Sequence, residues 1–145
     1  MCGIAGIIGT ISEQNRDACA RMSAAMTHRG PEGEGVWVSP PDEGGRGCLL
    51  AHRRLSILDL SDNANQPMVD QTHGKALVFN GEIYNYKQLR SELQHAGQEF
   101  SSSGDTAVLL RWLAVRGYEQ IEKLRGMFAF AVWDQVLRQL VIARD

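Results

Sequence analysis

The chain has 145 residues, of which 43% are hydrophobic, and this is enough for one globular domain with its own core. Its formal net charge is −2 and its basic residues are interspersed with acidic ones, which disfavours nucleic acid as a partner. No apolar run reaches the roughly 20 residues that cross a bilayer, and the N-terminus lacks the basic segment of a secretory signal, so we expect a cytoplasmic protein with no membrane partner.

The first half of the chain predicts three strands and one helix. Residues 2–8 are apolar and predict a short buried strand. Ser12 is suited to cap a following helix, in which apolar residues recur at helical spacing. Residues 28–35 are rich in Gly, Pro and charge and predict a tight turn, and residues 36–38 and 48–51 predict strands. The apolar stripe of the helix is expected to consist of Ala18, Met22, Ala25 and Met26.

In the middle of the chain, residues 75–79 predict another strand, and the Asn80-Gly81 pair that follows is typical of a hairpin turn. A helix is expected from Asn85 to about residue 96, where Gly97 would end it.

Towards the end of the chain, Asp105 is suited to cap a second helix that would end before Gly117. Residues 127–133 and 139–143 then predict a hairpin. Strands and helices are mixed without the strict alternation of a parallel sheet, so the pattern predicts an α+β fold.

Cys2 is the sharpest candidate for catalysis. Removal of Met1, which a small second residue permits, would leave a cysteine that carries its own α-amino group. The amine has a reference pKa of about 7.7–8.0 and the thiol one of about 8.5, so near neutral pH the amine can accept the thiol proton. Taken alone, Cys2 is more readily explained as a small hydrophobic residue in a buried strand, and other segments of the chain are needed to favour the nucleophile.

Other candidates for catalysis or metal binding are weaker. Cys19 and Cys48 complete an odd number of widely spaced cysteines, which argues against a disulfide framework or a zinc motif. His28 and His52 are not placed near Cys2 by their spacing, and we expect both to be packed or hydrogen-bonded. No metal site is expected.

Six segments occur in a fixed order along the chain: MCGIAGIIG, HRGPEGEG, AHRRLSILDLSDNANQPM, FNGEIYNYKQLRSEL, SGDTAVLL and RGMFAFAVWD. Together they resemble the class II glutamine amidotransferases, in which the N-terminal residue is the nucleophile, over essentially the whole chain. Within that class, NGEIYN and RLSILDLS are similar to asparagine synthetases. The resemblance implies a four-layer αββα sandwich of two antiparallel sheets, expected to be truncated here at its C-terminal side.

The resemblance also implies roles for individual residues. Cys2 would attack the side-chain amide of L-glutamine, and Asn80 with Gly81 would hold the resulting oxyanion. Arg54 would bind the α-carboxylate through its planar guanidinium fork. The remaining contacts implied are to the α-ammonium, from the Asp105 carboxylate and largely from the Glu82 backbone carbonyl, and backbone contacts from Leu55 and Ile57.

Each position also has an ordinary structural explanation. Asn80-Gly81 is a common turn sequence, and Asp105 could act only as a helix cap. Arg53 or Arg54 could be a solvated surface charge. The register of the motif favours Arg54, and Arg53 should face the other way if the segment is extended.

The chain departs from the family pattern in two residues and in length. Ala107 stands where a glutamate is usual, and Glu32 where an aspartate is usual. Relatives continue after residue 145 with more of the glutaminase fold and an ATP-dependent synthetase domain. No phosphate-binding loop occurs here, so we expect no cofactor in residues 1–145, with ATP and magnesium confined to the missing synthetase domain.

Three functions fit this pattern. In the first, the chain hydrolyses glutamine to supply the ammonia of an asparagine synthetase, so its partners are L-glutamine and a synthetase domain or chain. In the second, the same glutaminase serves another acceptor, such as a sugar or a secondary metabolite. In the third, the chain is an inactive truncated module that pairs with a synthetase. The sequence leaves open whether it forms a homodimer.

Overall fold

The computed structural model describes residues 2–55 and 65–145, within which seven strands, three α-helices and one 3-10 helix are found. The strands are β1 (Gly3–Thr10), β2 (Gly33–Val38), β3 (Arg46–Arg54), β4 (Met68–Asp70), β5 (Lys75–Ile83), β6 (Gly126–Asp134) and β7 (Gln139–Arg144). The helices are α1 (Glu13–Ala25), α2 (Tyr86–His95), α3 (Asp105–Arg116) and the 3-10 helix (Tyr118–Lys123).

The strands form two antiparallel sheets that pack face to face. The first sheet has the order β1-β3-β2 and the second has the order β4-β5-β6-β7. Helix α1 packs on β1 and β3, whereas α3 packs on β4 and β5 and is covered in turn by α2. Strands β1 and β3 contact β5 across the two sheets. This order of layers confirms the predicted α+β sandwich.

In the described part of the chain, no helix combines the length and the apolar character needed to cross a bilayer.

Strand β3 divides its side chains between two cores, because successive strand residues point to opposite faces. Leu49 and Ala51 pack with Cys19 of α1 on the outer face. Cys48 and Leu50 pack on the inner face, against the second sheet. The even-numbered residues of β3 therefore face the space between the sheets.

The same alternation holds in the strands that contact β3 and face it. Ile4 of β1 packs in the inter-sheet core, as do Ala76 and Val78 of β5. Leu77 and Phe79 of β5 pack instead in the core beneath α2 and α3. Even-numbered side chains of β1, β3 and β5 thus share one space, and this decides which candidate residues can meet.

Helix α1 begins as predicted but buries a different stripe. The Ser12 hydroxyl caps the helix by accepting a hydrogen bond from the Asn15 N–H at 3.2 Å. The fully buried positions are Cys19 and Ser23, whereas Ala25 is exposed. The expected stripe was partly right, since Met22 packs against the core that contains Cys19, but Ala25 lies outside it. Polar Ser23 is buried instead through its contact with Arg53 of β3 and not by its own hydrophobicity.

Two local predictions are corrected by long-range contacts. Asn80 and Gly81 do not form a turn, because the nine residues of β5 all pair with β6 and the strand runs straight through them. Asp105 does not cap α3. Gly104 is the N-cap, and the Asp105 carboxylate instead accepts a hydrogen bond from β5.

Candidate active site

Cys2 lies directly before β1 and is held through both its main chain and its sulfur. The Leu55 N–H donates to the Cys2 sulfur at 3.4 Å, and the Leu55 carbonyl lies 3.7 Å from the same sulfur. The Arg29 Nε donates to the Cys2 carbonyl at 3.1 Å. The side chain is partly exposed. A backbone N–H directed at a sulfur stabilises negative charge there, so this geometry suits a nucleophile.

The two neighbouring arginines point to opposite faces of β3. Arg53 is directed to α1, where its Nε donates to the Ser23 carbonyl at 3.0 Å, and it forms an ion pair with Glu34. Arg54 lies on the even-numbered face, and its Nη1 donates to the Asn65 Oδ1 at 2.7 Å. At the end of β3, Arg53 therefore binds α1, whereas Arg54 lies on the same side of the sheet as Cys2.

Two glycines, Gly30 before β2 and Gly35 within it, allow the chain to pass close to this region. A Cβ at Gly30 would lie 2.5 Å from the Arg53 carbonyl carbon, and a Cβ at Gly35 would lie 2.1 Å from the Gln66 carbonyl oxygen. Real contacts of this kind are never so short, so both positions need glycine. The chain at these two glycines therefore packs directly against the backbone of Arg53 and of Gln66.

One edge of β5 is left open beyond the end of β4. The Tyr84 N–H donates to the Arg125 carbonyl at 2.7 Å, and Tyr84 continues the pairing of β5 with β6. Bonds in an antiparallel pair alternate, so the even-numbered residues of β5 bond β6. The backbone groups of Phe79, Gly81 and Ile83 are consequently directed to the opposite, open edge.

Two of the three N–H groups on that edge have side-chain acceptors. The Phe79 N–H donates to the Gln66 Oε1 at 2.6 Å, and the Ile83 N–H donates to the Asp105 Oδ2 at 2.9 Å. Between them, no side chain of residues 2–55 or 65–145 accepts a hydrogen bond from the Gly81 N–H. Among the described residues, the Gly81 N–H is therefore available at this edge to donate a hydrogen bond to a ligand.

The Asn80 side chain is a second donor next to this one. Its position in the strand places it on the inter-sheet face, it is partly buried, and no partner for its amide is found among the described residues. Gly81 has φ +152°, and a Cβ there would lie 2.1 Å from the Met127 carbonyl oxygen, so only glycine fits. A side-chain amide and a backbone N–H from adjacent residues can converge on one oxygen.

Asp105 is a buried carboxylate at the start of α3, with 7% of its surface exposed. Burial raises the pKa of Asp105 above its usual 3.8, and the nearby charge of Glu82 raises it further, while hydrogen bonds from Ile83 and Thr106 act in the opposite direction. A carboxyl in this situation gains most from a cationic partner, because a cation stabilises its ionised form.

The other predicted substrate contacts involve Glu82, Leu55 and Ile57, and the Glu82 carbonyl does not point where the prediction requires. The Glu82 side chain is exposed, and its even-numbered position directs its backbone carbonyl towards β6, not towards the open edge. Leu55 contacts the Cys2 sulfur itself. Ile57 and Met1 lie outside the described residues.

The histidines are packed or hydrogen-bonded, as predicted. His28 is exposed and its Nδ1 lies 3.1 Å from the Ala25 carbonyl. His52 is fully buried, and its Nε2 lies 3.2 Å from the Phe79 carbonyl. Burial lowers the pKa of His52 to about 4, so the ring is neutral near pH 7. Neither histidine is hydrogen-bonded to Cys2, whose partners among the described residues are Leu55 and Arg29. In the described ranges, no group of three His, Cys, Asp or Glu side chains is arranged to hold a metal ion.

Sequence reasoning missed the residues that hold the candidates in place. Asn65 and Gln66 contact Arg54 and Phe79, and Arg29 contacts Cys2. Their only sequence signal is their presence inside segments that carry the family resemblance, since no spacing or periodicity distinguishes them.

Comparison with known proteins places all of these residues in one family. A family model described as "Glutamine amidotransferase domain" matches residues 1–145. Asparagine synthetase B (glutamine-hydrolysing) of Escherichia coli is 37% identical over the whole chain, and asparagine synthetase 3 (glutamine-hydrolysing) of Bacillus subtilis is 35% identical. The chain spans 25% and 23% of the lengths of these two proteins.

Two further relatives extend the comparison. A Gibberella zeae protein named amidase chry2 is 38% identical over 83% of this chain, which covers 17% of that protein. Among solved structures, the glutamine phosphoribosylpyrophosphate amidotransferase of Bacillus subtilis superposes with a TM-score of 0.75 at 22% identity, covering the whole chain and 37% of that structure. At this identity the superposition shows a shared fold.

Proposed function

The chain belongs to the glutamine amidotransferase domain family, and we propose that it hydrolyses the side-chain amide of L-glutamine through a thioester on Cys2. The observation that carries this proposal is the open edge of β5, where an N–H at Gly81 without a side-chain acceptor lies beside the Asn80 amide. Strand β1, which directly follows Cys2, and strand β3, which ends at Arg54, contact β5 across the sheets.

In the first step Cys2 acts as nucleophile and base together, once Met1 has been removed. The α-amine takes the thiol proton as the sulfur bonds to the amide carbon of glutamine. The Leu55 N–H, 3.4 Å from the sulfur, holds the sulfur in position and stabilises the negative charge that develops on it as the proton leaves. No histidine is needed as a base in this step. This agrees with the structure, in which His28 and His52 hydrogen-bond to other residues.

The carbonyl electrons of the amide move to its oxygen, and the resulting oxyanion is held by the Asn80 amide and the Gly81 N–H. These donors stand on a paired strand and are fixed before the reaction, which is how an oxyanion hole lowers a barrier. The intermediate collapses by breaking the carbon–nitrogen bond of the former amide. The α-ammonium group of Cys2 returns its proton to the leaving nitrogen, so ammonia departs. Water then attacks the thioester and releases glutamate and the Cys2 thiol.

The amino-acid end of glutamine would be held by opposite charges. Arg54 binds the α-carboxylate, and the buried Asp105 binds the α-ammonium, assisted by the negative charge of the neighbouring Glu82. Backbone contacts from Leu55 and Ile57 are proposed in addition. This division places recognition at the ends of β3 and α3 and chemistry at Cys2 and β5.

The ammonia is proposed to serve the synthesis of asparagine in a synthetase domain or chain, because two relatives that match the whole chain are named glutamine-hydrolysing asparagine synthetases. Residues 1–145 would be the ammonia-producing part, and ATP and magnesium would act in the synthetase part. A cytoplasmic location fits this role. The relative named amidase chry2 favours a second candidate, the same glutaminase with another acceptor.

The proposal is tested by incubating the protein with glutamine and measuring glutamate and ammonia. We expect equal amounts of the two products, none with Cys2→Ala, and unchanged rates with Cys48→Ala, which alters a buried thiol in the inter-sheet core. A folded protein with intact Cys2 and no turnover would favour the inactive module. Adding aspartate, ATP and magnesium with the synthetase part tests the acceptor, since asparagine should then form.

A further inference from the structure

Two consecutive side chains, Asn65 and Gln66, reach two different parts of the proposed site. The Asn65 Oδ1 accepts a hydrogen bond from Arg54 at 2.7 Å, and the Gln66 Oε1 accepts one from the Phe79 N–H at 2.6 Å. We infer that they are positioning residues for glutamine hydrolysis: Asn65 orients Arg54, and Gln66 fixes β5 next to Asn80. This inference rests on the proposed function and deepens it.

Gln66 replaces a missing strand at the open edge of β5. Strand β4 pairs with β5 only as far as Leu77, so the Phe79 N–H on the same edge has no strand partner. A backbone N–H in a buried position costs free energy unless it is hydrogen-bonded, and Gln66 supplies the acceptor. It thereby holds the strand in place two residues before the proposed oxyanion donor Gly81.

The same residue of β5 is held from the first sheet as well. The neutral His52 ring donates from Nε2 to the Phe79 carbonyl at 3.2 Å. Phe79 is thus hydrogen-bonded through its N–H by Gln66 and through its carbonyl by His52. Because His52 belongs to β3, this arrangement fixes the distance between the sheet that carries Cys2 and the strand that carries Asn80.

The segment that carries the two amides is itself closely packed. The Gln66 carbonyl lies so near Gly35 of β2 that a Cβ there would be only 2.1 Å away, and 3.0 Å from the Pro67 Cδ. Immediately after Pro67 the chain enters β4. A segment confined on both sides can hold its side chains in one orientation, which a positioning role requires.

The two side chains should affect different kinetic constants. Asn65 acts through Arg54, which binds the substrate carboxylate equally before and during reaction, so its loss should raise KM. Gln66 acts through the oxyanion donors, which matter most in the transition state, so its loss should lower kcat. A residue needed only for folding would not separate the constants in this way.

The test measures glutamine hydrolysis by Asn65→Leu and Gln66→Met, which remove the acceptor oxygens and keep the size of the side chain. We expect Asn65→Leu to raise KM about tenfold with little change in kcat, and Gln66→Met to lower kcat about 10- to 100-fold with little change in KM. Gln66→Glu keeps an acceptor oxygen and should recover most of the loss. The matched control is Gln98→Leu, because the Gln98 Oε1 accepts from Arg111 at 2.9 Å outside the site.

Similar changes of KM and kcat in both variants, or kinetics like those of Gln98→Leu, would overturn the inference while the active wild type upholds the proposed function. A wild type without glutaminase activity would overturn both. Amide hydrogen exchange gives a readout apart from activity: the Phe79 N–H should exchange faster in Gln66→Met and remain unchanged in Gln98→Leu. Equal exchange in all three proteins would contradict the role of Gln66.

Discussion

The Leu55 N–H donates to the Cys2 sulfur at 3.4 Å, although 53 positions separate the two residues. The contact joins the start of β1 to the end of β3 and directs a backbone donor at the atom proposed to carry charge. It also gives Leu55 a purpose that its side chain does not reveal. The proposed nucleophile is thus part of a geometry formed by distant segments.

Processing of the N-terminus is the first expected consequence. If the α-amine of Cys2 is the base, Met1 must be removed, and the intact mass of the purified protein should show the loss of one methionine. A variant in which residue 2 is preceded by an uncleavable extension should fold but not turn over glutamine. Full activity in a protein that retains Met1 would contradict the amine as base.

Arg54 and Arg53 should respond differently to alanine. Arg54→Ala removes the proposed carboxylate anchor, and the loss of a charged hydrogen bond predicts a KM for glutamine about 10- to 100-fold higher. Arg53→Ala loses the contacts with Ser23 and Glu34, so it should lower the melting temperature and leave KM unchanged. The opposite pattern in steady-state kinetics would show that the register is wrong by one residue.

Asn80 should contribute to the rate and little to stability. Asn80→Ala removes one proposed oxyanion donor that has no hydrogen-bond partner among the described residues, so we expect kcat to fall about 10²- to 10³-fold with a nearly unchanged melting temperature. Gly81→Ala should instead prevent correct folding, because its Cβ would meet the Met127 carbonyl. An Asn80→Ala variant with wild-type kcat would remove this residue from the proposed mechanism.

The ionised Asp105 carboxylate should destabilise the folded protein at neutral pH, although it is proposed to bind glutamine. Burial raises the pKa of Asp105 in the folded state, so its contribution to stability is fully present below the unfolded value of 3.8 and is lost as pH rises through the folded value. Asp105→Asn should therefore gain melting temperature relative to the wild type as pH rises from below 3.8 to 7, while glutamine binding is lost. Melting curves across that range check the sign, and a difference independent of pH would contradict it.

The sequence predicted the layers of the fold better than the details of the site. Helix α1, the buried strand β3 and the final hairpin follow from periodicity and capping residues that act locally, such as Ser12. The Asn80-Gly81 pair was misjudged because its local turn preference is outweighed by pairing with β6, more than 40 positions later, which no short window reveals.

The helix cap expected at Asp105 was wrong for the same reason. Its carboxylate has the chemistry of a cap, and only the approach of α3 to β5 directs it towards the Ile83 N–H. Asn65 and Gln66 belong to no periodic pattern. Their hydrogen bonds to Arg54 and to the Phe79 N–H depend on the open edge of β5 and on the direction of Arg54, which only the tertiary structure shows. Motif resemblance identified the candidate residues, and the tertiary structure identified what holds them.

Separation of ammonia production from its use is the fifth expectation. The proposed nucleophile, oxyanion donors and anchors all lie between Cys2 and Asp105, and residues 1–145 contain no phosphate-binding loop motif. Glutaminase activity should therefore be indifferent to ATP and magnesium, and aspartate should yield no asparagine unless the synthetase part is present. Tight ATP binding to residues 1–145 in calorimetry would contradict this division.

The most direct measurement of the central claim is covalent trapping of Cys2 by a glutamine-like diazo ketone, which alkylates sulfur with loss of nitrogen gas. Mass spectrometry should show one adduct per chain, mapped to Cys2 and prevented by excess glutamine. Cys19 and Cys48 serve as internal controls, since both are fully buried and burial raises the pKa of the Cys48 thiol to about 12. An adduct confined to Cys2 supports the account, whereas a folded protein that forms none, or forms it equally in the presence of glutamine, would contradict it.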